Sequence, residues 1–135
     1  MKKVLTVGVF DLLHWGHFEL FRRAKELVGP EGKLVVAVQR DDWVTKFKDV
    51  KLVYDFDRRV KMISALRYVD EVVPYTSIDE SIKAIDFNCF VMGPDQKHAG
   101  FQRAKEWCLA NGKEVTILGR TKGISSSQLR AGGLK

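Results

Sequence analysis

KVLTVGVFDLLHWGHFELFRRAKELV, residues 3–28, decides the fold. Its first part, KVLTVGV (3–9), is short, rich in β-branched residues and almost wholly apolar, the pattern of a strand covered on both faces. Its second part sets Phe18, Leu20, Phe21, Ala24 and Leu27 at helical spacing, and GPEG stops the pattern. The loop between them runs straight into the helix. It carries His14 and His17, two of the three histidines in the chain.

The same alternation continues outward. KLVVAVQ (33–39) reads as a second strand and DFDRRVKMISALRYV (55–69) as a helix with Val60, Ile63, Leu66 and Tyr68 partly on one face. DEVVPY (70–75) is a third strand. SIDESIKAID (77–86) is a helix whose Ser77 and Glu80 have capping-box spacing. FNCFVMG (87–93), AGFQRAKEWCLANG (99–112) and KEVTILG (113–119) follow as strand, helix and strand, and SSSQLRAGG (125–133) as a short last helix. Strands alternating with helices make βαβ units. The expected fold is therefore α/β: a Rossmann-like, doubly wound parallel sheet of about five strands with helices on both faces.

With 135 residues, 45% apolar and 30% charged, and with no repeat or linker, the chain reads as one domain over residues 1–135. The net charge of +6 is dispersed, with basic residues interleaved among acidic ones in RRAKE and RDDWVTKFKD. That pattern suits a small polyanion such as a nucleoside triphosphate and gives no nucleic-acid signature. Cys89 and Cys108 stand apart and outside any metal-binding spacing, which points to a reducing compartment and to neither a disulfide framework nor a zinc site. The apolar run at the start is cut by Asp11, too early for a secretory segment or a membrane span. A cytoplasmic protein with no membrane insertion is expected.

Doubly wound folds bind ligands outside the carboxyl ends of their strands, where strand order reverses. Here those ends read Gly8-Val9-Phe10-Asp11, Gly93-Pro94-Asp95 and Gly119-Arg120-Thr121. A helix starting near His14–His17 offers unpaired amides and a positive dipole end, a seat for phosphate. Side chains three apart share a face, so both imidazoles reach one anion, and Gly16 lets a base or ribose approach. The spacing alone also fits a plain helix start or two metal ligands, although no third ligand lies at a suggestive distance. At the far end, RTKGISSSQLR (120–130) sets Arg120 and a glycine turn before three serines. This is either a second phosphate seat or an ordinary cap on Ser125.

Together, GVFDLLHWGH and RTKGISSS resemble the cytidylyltransferase branch of the HxGH nucleotidyltransferases, its bacterial glycerol-3-phosphate enzymes most of all. KLVVAV, RYVDEV and VMGPD fall in family order along nearly the whole chain. The resemblance implies transfer of a cytidylyl group from CTP, carried with Mg²⁺, to a small phosphorylated acceptor, with release of pyrophosphate. It implies that His14 and His17 contact the triphosphate and steady the transition state, that Lys46 is the catalytic lysine, and that Arg120 acts with them. Nucleotide contacts fall by the same likeness on Gly8, Val9, Phe10, Asp11, Gly16, Gly93, Asp95, Thr121, Ile124, Ser125 and Ser126. Acceptor phosphate contacts fall on Lys48 and Arg59. No protein metal ligand is implied; by the same likeness RYVDEVVPY (67–75) lies at a homodimer interface, although a helix end running into a core strand explains these residues equally well.

Several positions depart from the family pattern. Val9 replaces a hydroxyl residue, Pro94 an acid, Gln96 an aromatic and Lys122 an acid. YTSIDESIKA (75–84) lacks the Trp and Lys that help hold glycerol phosphate and has Ile78 and Ser81 instead. PDQKHAG (94–100) is also unlike the glycerol enzymes. The nucleotide side is thus expected to be retained with a different acceptor, another phosphorylated precursor of a surface polysaccharide. An adenylyltransferase acting from ATP on a sugar phosphate or coenzyme precursor is the neighbouring alternative.

Overall fold

Leu5 and Val7 of the first strand face one apolar cluster and Val4 faces another, so the strand must be covered on both sides. A computed structural model shows how, describing residues 2–42, 52–93 and 99–118. Among them, in chain order, are β1 (Lys3–Gly8), α1 (Trp15–Val28), β2 (Lys33–Gln39), α2 (Phe56–Ser64), β3 (Glu71–Tyr75), α3 (Ile78–Ala84), β4 (Cys89–Met92), α4 (Ala99–Ala110) and β5 (Glu114–Ile117). The sheet is wholly parallel in the order β3-β2-β1-β4-β5. Register runs from Lys3 opposite Lys33 to Gly8 opposite Val38, with Val4 opposite Cys89 on the other side of β1. This is the α/β doubly wound fold expected from the sequence.

Phe21 and Ala24 of α1 and Ile63 of α2 pack on one face with Val4, Val36 and Val91. Ile82 of α3 and Phe101, Ala104 and Cys108 of α4 pack on the other with Leu5, Val35 and Phe90. Strand order reverses at β1, between β2 and β4, so the crevice outside β1 and β4 is where this fold receives ligands. Gly93 ends β4 at that crevice, and a Cβ added there would meet nothing within 4 Å.

Two local readings come out differently. The second helix is expected to run to Val69 but ends at Ser64. Leu66 and Val69 instead donate to carbonyls three residues back, Ile63 and Leu66. The tighter turns lay Leu66, Tyr68 and Val69 on the core. Asp70 then reaches β2, where its carboxylate accepts the Leu34 amide at 2.8 Å and the Lys25 ammonium at 2.7 Å. Ser77 is the N-cap of α3, but its side chain makes no capping hydrogen bond, so the expected box does not form there. The last predicted helix, SSSQLRAGG, lies outside the described residues.

Candidate active site

The capping box expected at Ser77 is found at the histidines. His14 is the N-cap of α1 in extended backbone geometry, and its Nδ1 accepts the Gly16 amide at 2.9 Å. His17, three residues on, reaches back so that its Nδ1 accepts the His14 amide at 3.3 Å. These are the reciprocal bonds of a Ser-x-x-Glu start, made by two imidazoles. The rings stack with centroids 4.0 Å apart and 27° between planes. Because backbone amides occupy both Nδ1 atoms as acceptors, each neutral ring carries its proton on Nε2.

The neighbourhood keeps His17 neutral. Burial pushes its pKa down to about 4, helped by the His14 charge and opposed by a hydrogen bond with the Leu12 carbonyl. His17 is therefore uncharged at neutral pH, and with Nδ1 accepting the His14 amide its Nε2–H is the proton that meets the Leu12 carbonyl. N–H donors at a helix N-terminus bring hydrogen bonds and dipole to an anion.

The turn entering α1 is under conformational load. Phe10 has φ 54°, the sole non-glycine residue with positive φ among the described residues. An aromatic residue in the left-handed region costs on the order of 1–3 kcal/mol, a strain that persists where the surroundings over-determine it. Here the Phe10 ring meets His17 edge-on at 5.4 Å and Phe21 at 5.2 Å. It also fills the space that Gly8 leaves, since a Cβ on Gly8 would lie 2.8 Å from Phe10 Cζ. Gly8 is thus required by the ring above it.

Asp11 and Arg59 sit below this turn, both almost wholly buried. Asp11, expected in the nucleotide-pocket floor, accepts the Val53 amide at 2.9 Å and the Tyr54 amide at 2.8 Å, fastening residues 53–54 to the end of β1. The resemblance puts Arg59 on acceptor phosphate; in the structure its guanidinium is engaged by protein groups. Its guanidinium donates from Nη1 to the Val9 and Gln39 carbonyls, each at 2.8 Å, and from Nε to the Tyr54 carbonyl at 3.2 Å. Nη2 donates to Asp41 Oδ1, and the Arg59 side chain has no exposed surface. A phosphate would have to displace a main-chain carbonyl or the Asp41 carboxylate to reach it.

Asp41 is the residue that sequence reasoning missed. Its second oxygen accepts the Phe56 amide at 3.0 Å, so one carboxylate holds both Arg59 and the start of α2. Phe56 in turn has two guanidinium groups against its ring, Arg40 at 5.3 Å and Arg59 at 5.9 Å from the centroid. The only advance signal was an acid directly after β2, in RDD. Lys46, Lys48, Asp95, Arg120, Thr121, Ile124, Ser125 and Ser126 lie outside the described residues. Ile78, from the segment that departs from the glycerol enzymes, packs against the apolar core.

Paired imidazoles at the switch point of a doubly wound sheet match the α/β domains of nucleotidyltransferases. The comparisons narrow this further. The family model described as Cytidylyltransferase-like matches residues 5–132. Glycerol-3-phosphate cytidylyltransferase of Staphylococcus aureus is 38% identical over 133 residues, 96% of this chain and 93% of that protein. FAD synthase of Methanopyrus kandleri is 41% identical over 97 residues, 70% of this chain and 64% of that protein. A lipopolysaccharide core biosynthesis protein from Thermoplasma volcanium has a crystal structure matching with a TM-score of 0.73 at 27% identity, over 92% of this chain and 99% of that one. The chain belongs to the cytidylyltransferase-like family, and it is a nucleotidyltransferase.

Among the described residues no helix is long and apolar enough to cross a membrane, and no three His, Cys, Asp or Glu side chains gather as a metal site.

Proposed function

We propose that this enzyme transfers a cytidylyl group from CTP to a small phosphorylated acceptor. An acceptor phosphate oxygen attacks the α-phosphorus in line, the bond to the β-phosphate bridging oxygen breaks, and pyrophosphate leaves. The observation that carries this reading is the His14–His17 capping box, which sets two imidazoles side by side at the helix N-terminus with their Nδ1 atoms taken by backbone amides. Their Nε2–H groups stabilise charge developing on the triphosphate. The R-T-x-G-I-S sequence at 120–125 supports CTP as the nucleotide.

Magnesium belongs to this reaction as a charge-neutralising partner of the phosphates. The described residues offer it no carboxylate set, because Asp11 is bonded to amides and Asp41 to Arg59 and an amide. It would enter on the nucleotide's own oxygens and water. Lys46 is the proposed catalytic lysine and Lys48 the proposed acceptor contact, with Arg120, Thr121, Asp95 and residues 124–126 on the nucleotide.

The acceptor is proposed to differ from glycerol 3-phosphate, because residues 75–84 lack that pattern and Ile78 is turned into the core. A homodimer through residues 67–75 belongs to the same reading, supported by β3 being an edge strand. Sedimentation of the purified chain at twice the monomer mass is the expected result. The likeness to FAD synthase over 97 residues favours ATP as the one alternative nucleotide. Pyrophosphate release with CTP and ATP against phosphorylated polyols, sugars and amino-acid derivatives separates these readings. CTP should exceed ATP, and an acceptor other than glycerol 3-phosphate should give the highest kcat/KM. ATP exceeding CTP overturns the nucleotide; glycerol 3-phosphate ranking first overturns the acceptor.

A further inference from the structure

Arg59 is one of the largest fully buried side chains in the protein, and its partners come from four places in the chain. They are the Val9 carbonyl after β1, the Gln39 carbonyl at the end of β2, the Tyr54 carbonyl before α2, and the Asp41 carboxylate. A buried guanidinium is stable only when its donors and its charge are met, and here they are. No apolar residue of that volume could tie two parallel strand ends, because those carbonyls require donors in a fork.

The location matters as much as the bonding. Val9 immediately precedes Phe10, the residue held at φ 54°, and the Phe10 ring rests edge-on against His17. We propose that Arg59 is a positioning residue for nucleotidyl transfer: with Asp41, it braces the strained β1–α1 turn from below and so fixes Phe10 and, through it, the His17 imidazole. This rests on the reading of the histidines as phosphate donors. It differs from a phosphate contact in that Arg59 acts through main-chain carbonyls and never meets the substrate.

The test compares Arg59→Lys and Asp41→Asn, alone and combined, with Arg59→Ala as the harsher case. Arg59→Lys keeps the charge and loses the fork; Asp41→Asn keeps the shape and loses the charge. Each should lower kcat by about 10- to 100-fold, the cost of misplacing a group near reacting atoms, with the KM for CTP and for acceptor changed by less than about threefold. The double variant should be no worse than the worse single one, because both changes break one brace. In the free enzyme, with no nucleotide added, the His17 ring resonances should shift in each variant.

A rise in acceptor KM of about tenfold, with free-enzyme His17 resonances unchanged, would overturn the proposal in favour of direct phosphate contact. A lowered Tm with kcat of the folded protein unchanged would overturn it in favour of a purely structural role. If wild type releases no pyrophosphate from any nucleotide, the reading beneath fails. The His17 resonances still decide whether Arg59 acts on the turn.

Discussion

The starts of α1 and α3 make an instructive pair. α3 begins with Ser-x-x-Glu, the sequence associated with a capping box, yet Ser77 makes no side-chain cap bond. α1 begins with His-x-x-His, which no helix rule favours, and both reciprocal bonds form. The α3 start has acidic residues in its first turn, Asp79 and Glu80, which already complement the dipole. The α1 start has no acidic residue in its first turn, so its positive end is not met by a carboxylate of that turn. Capping by imidazole therefore does two jobs at one place. It satisfies the helix and fixes the tautomer and direction of the groups proposed to meet the ligand.

The largest effect expected from breaking this contrast is on turnover. His14→Ser retains an N-cap acceptor but has no Nε2–H. It should melt close to wild type and lose on the order of 100- to 1,000-fold in kcat/KM, the cost of removing one such donor. His14→Ala should lose a similar amount of turnover and about 1 kcal/mol of stability besides, measured by denaturant unfolding.

The pH dependence of stability comes next. Because the His17 ring has its pKa lowered from 6.5 to about 4, the unfolded chain binds the extra proton first. Its stabilising contribution is complete above about pH 6.5, is lost as pH falls toward 4, and changes no further below that, a span on the order of 3 kcal/mol. His17→Gln, which can still serve as a box residue, should flatten that part of the unfolding profile. An unchanged slope would contradict the burial of a neutral ring.

Gly8→Ala should follow, since its Cβ would sit 2.8 Å from the Phe10 ring. Forcing that ring away should cost about 1–3 kcal/mol and displace His17, lowering kcat with it. Smallest of all is Ser77→Ala at α3, expected within about 0.5 kcal/mol of wild type by denaturant unfolding. If Ser77→Ala proved as costly as His14→Ala, the contrast between the two helix starts would collapse.

Much of this was legible before the structure. Five strands and their helices follow from short apolar runs broken by Gly, Pro and Asn, because a parallel sheet buries both strand faces. The histidines stood out for a similar reason, as polar rings at the end of a buried strand. What could not be read is where long-range partners outvote local pattern. Leu66, Tyr68 and Val69 continue a helical period, but packing and the bonds of Asp70 to β2 end the helix at Ser64. Arg59 reads by resemblance as a phosphate contact, and its burial depends on carbonyls 50 and 20 residues away. Asp41 carried no motif at all, yet it anchors both Arg59 and the first turn of α2.

The central claim is that the capping box presents the Nε2–H groups of His14 and His17 to a nucleotide, His17 exchanging the Leu12 carbonyl for phosphate. Nitrogen-15 spectroscopy of the histidine rings at neutral pH, before and after adding CTP with magnesium, reads it directly. Both His14 and His17 should show a protonated Nε2 and an unprotonated, hydrogen-bonded Nδ1 in the free enzyme, and both Nε2–H resonances should move on CTP addition. Protonated Nδ1 atoms, or Nε2–H resonances indifferent to CTP, would contradict it.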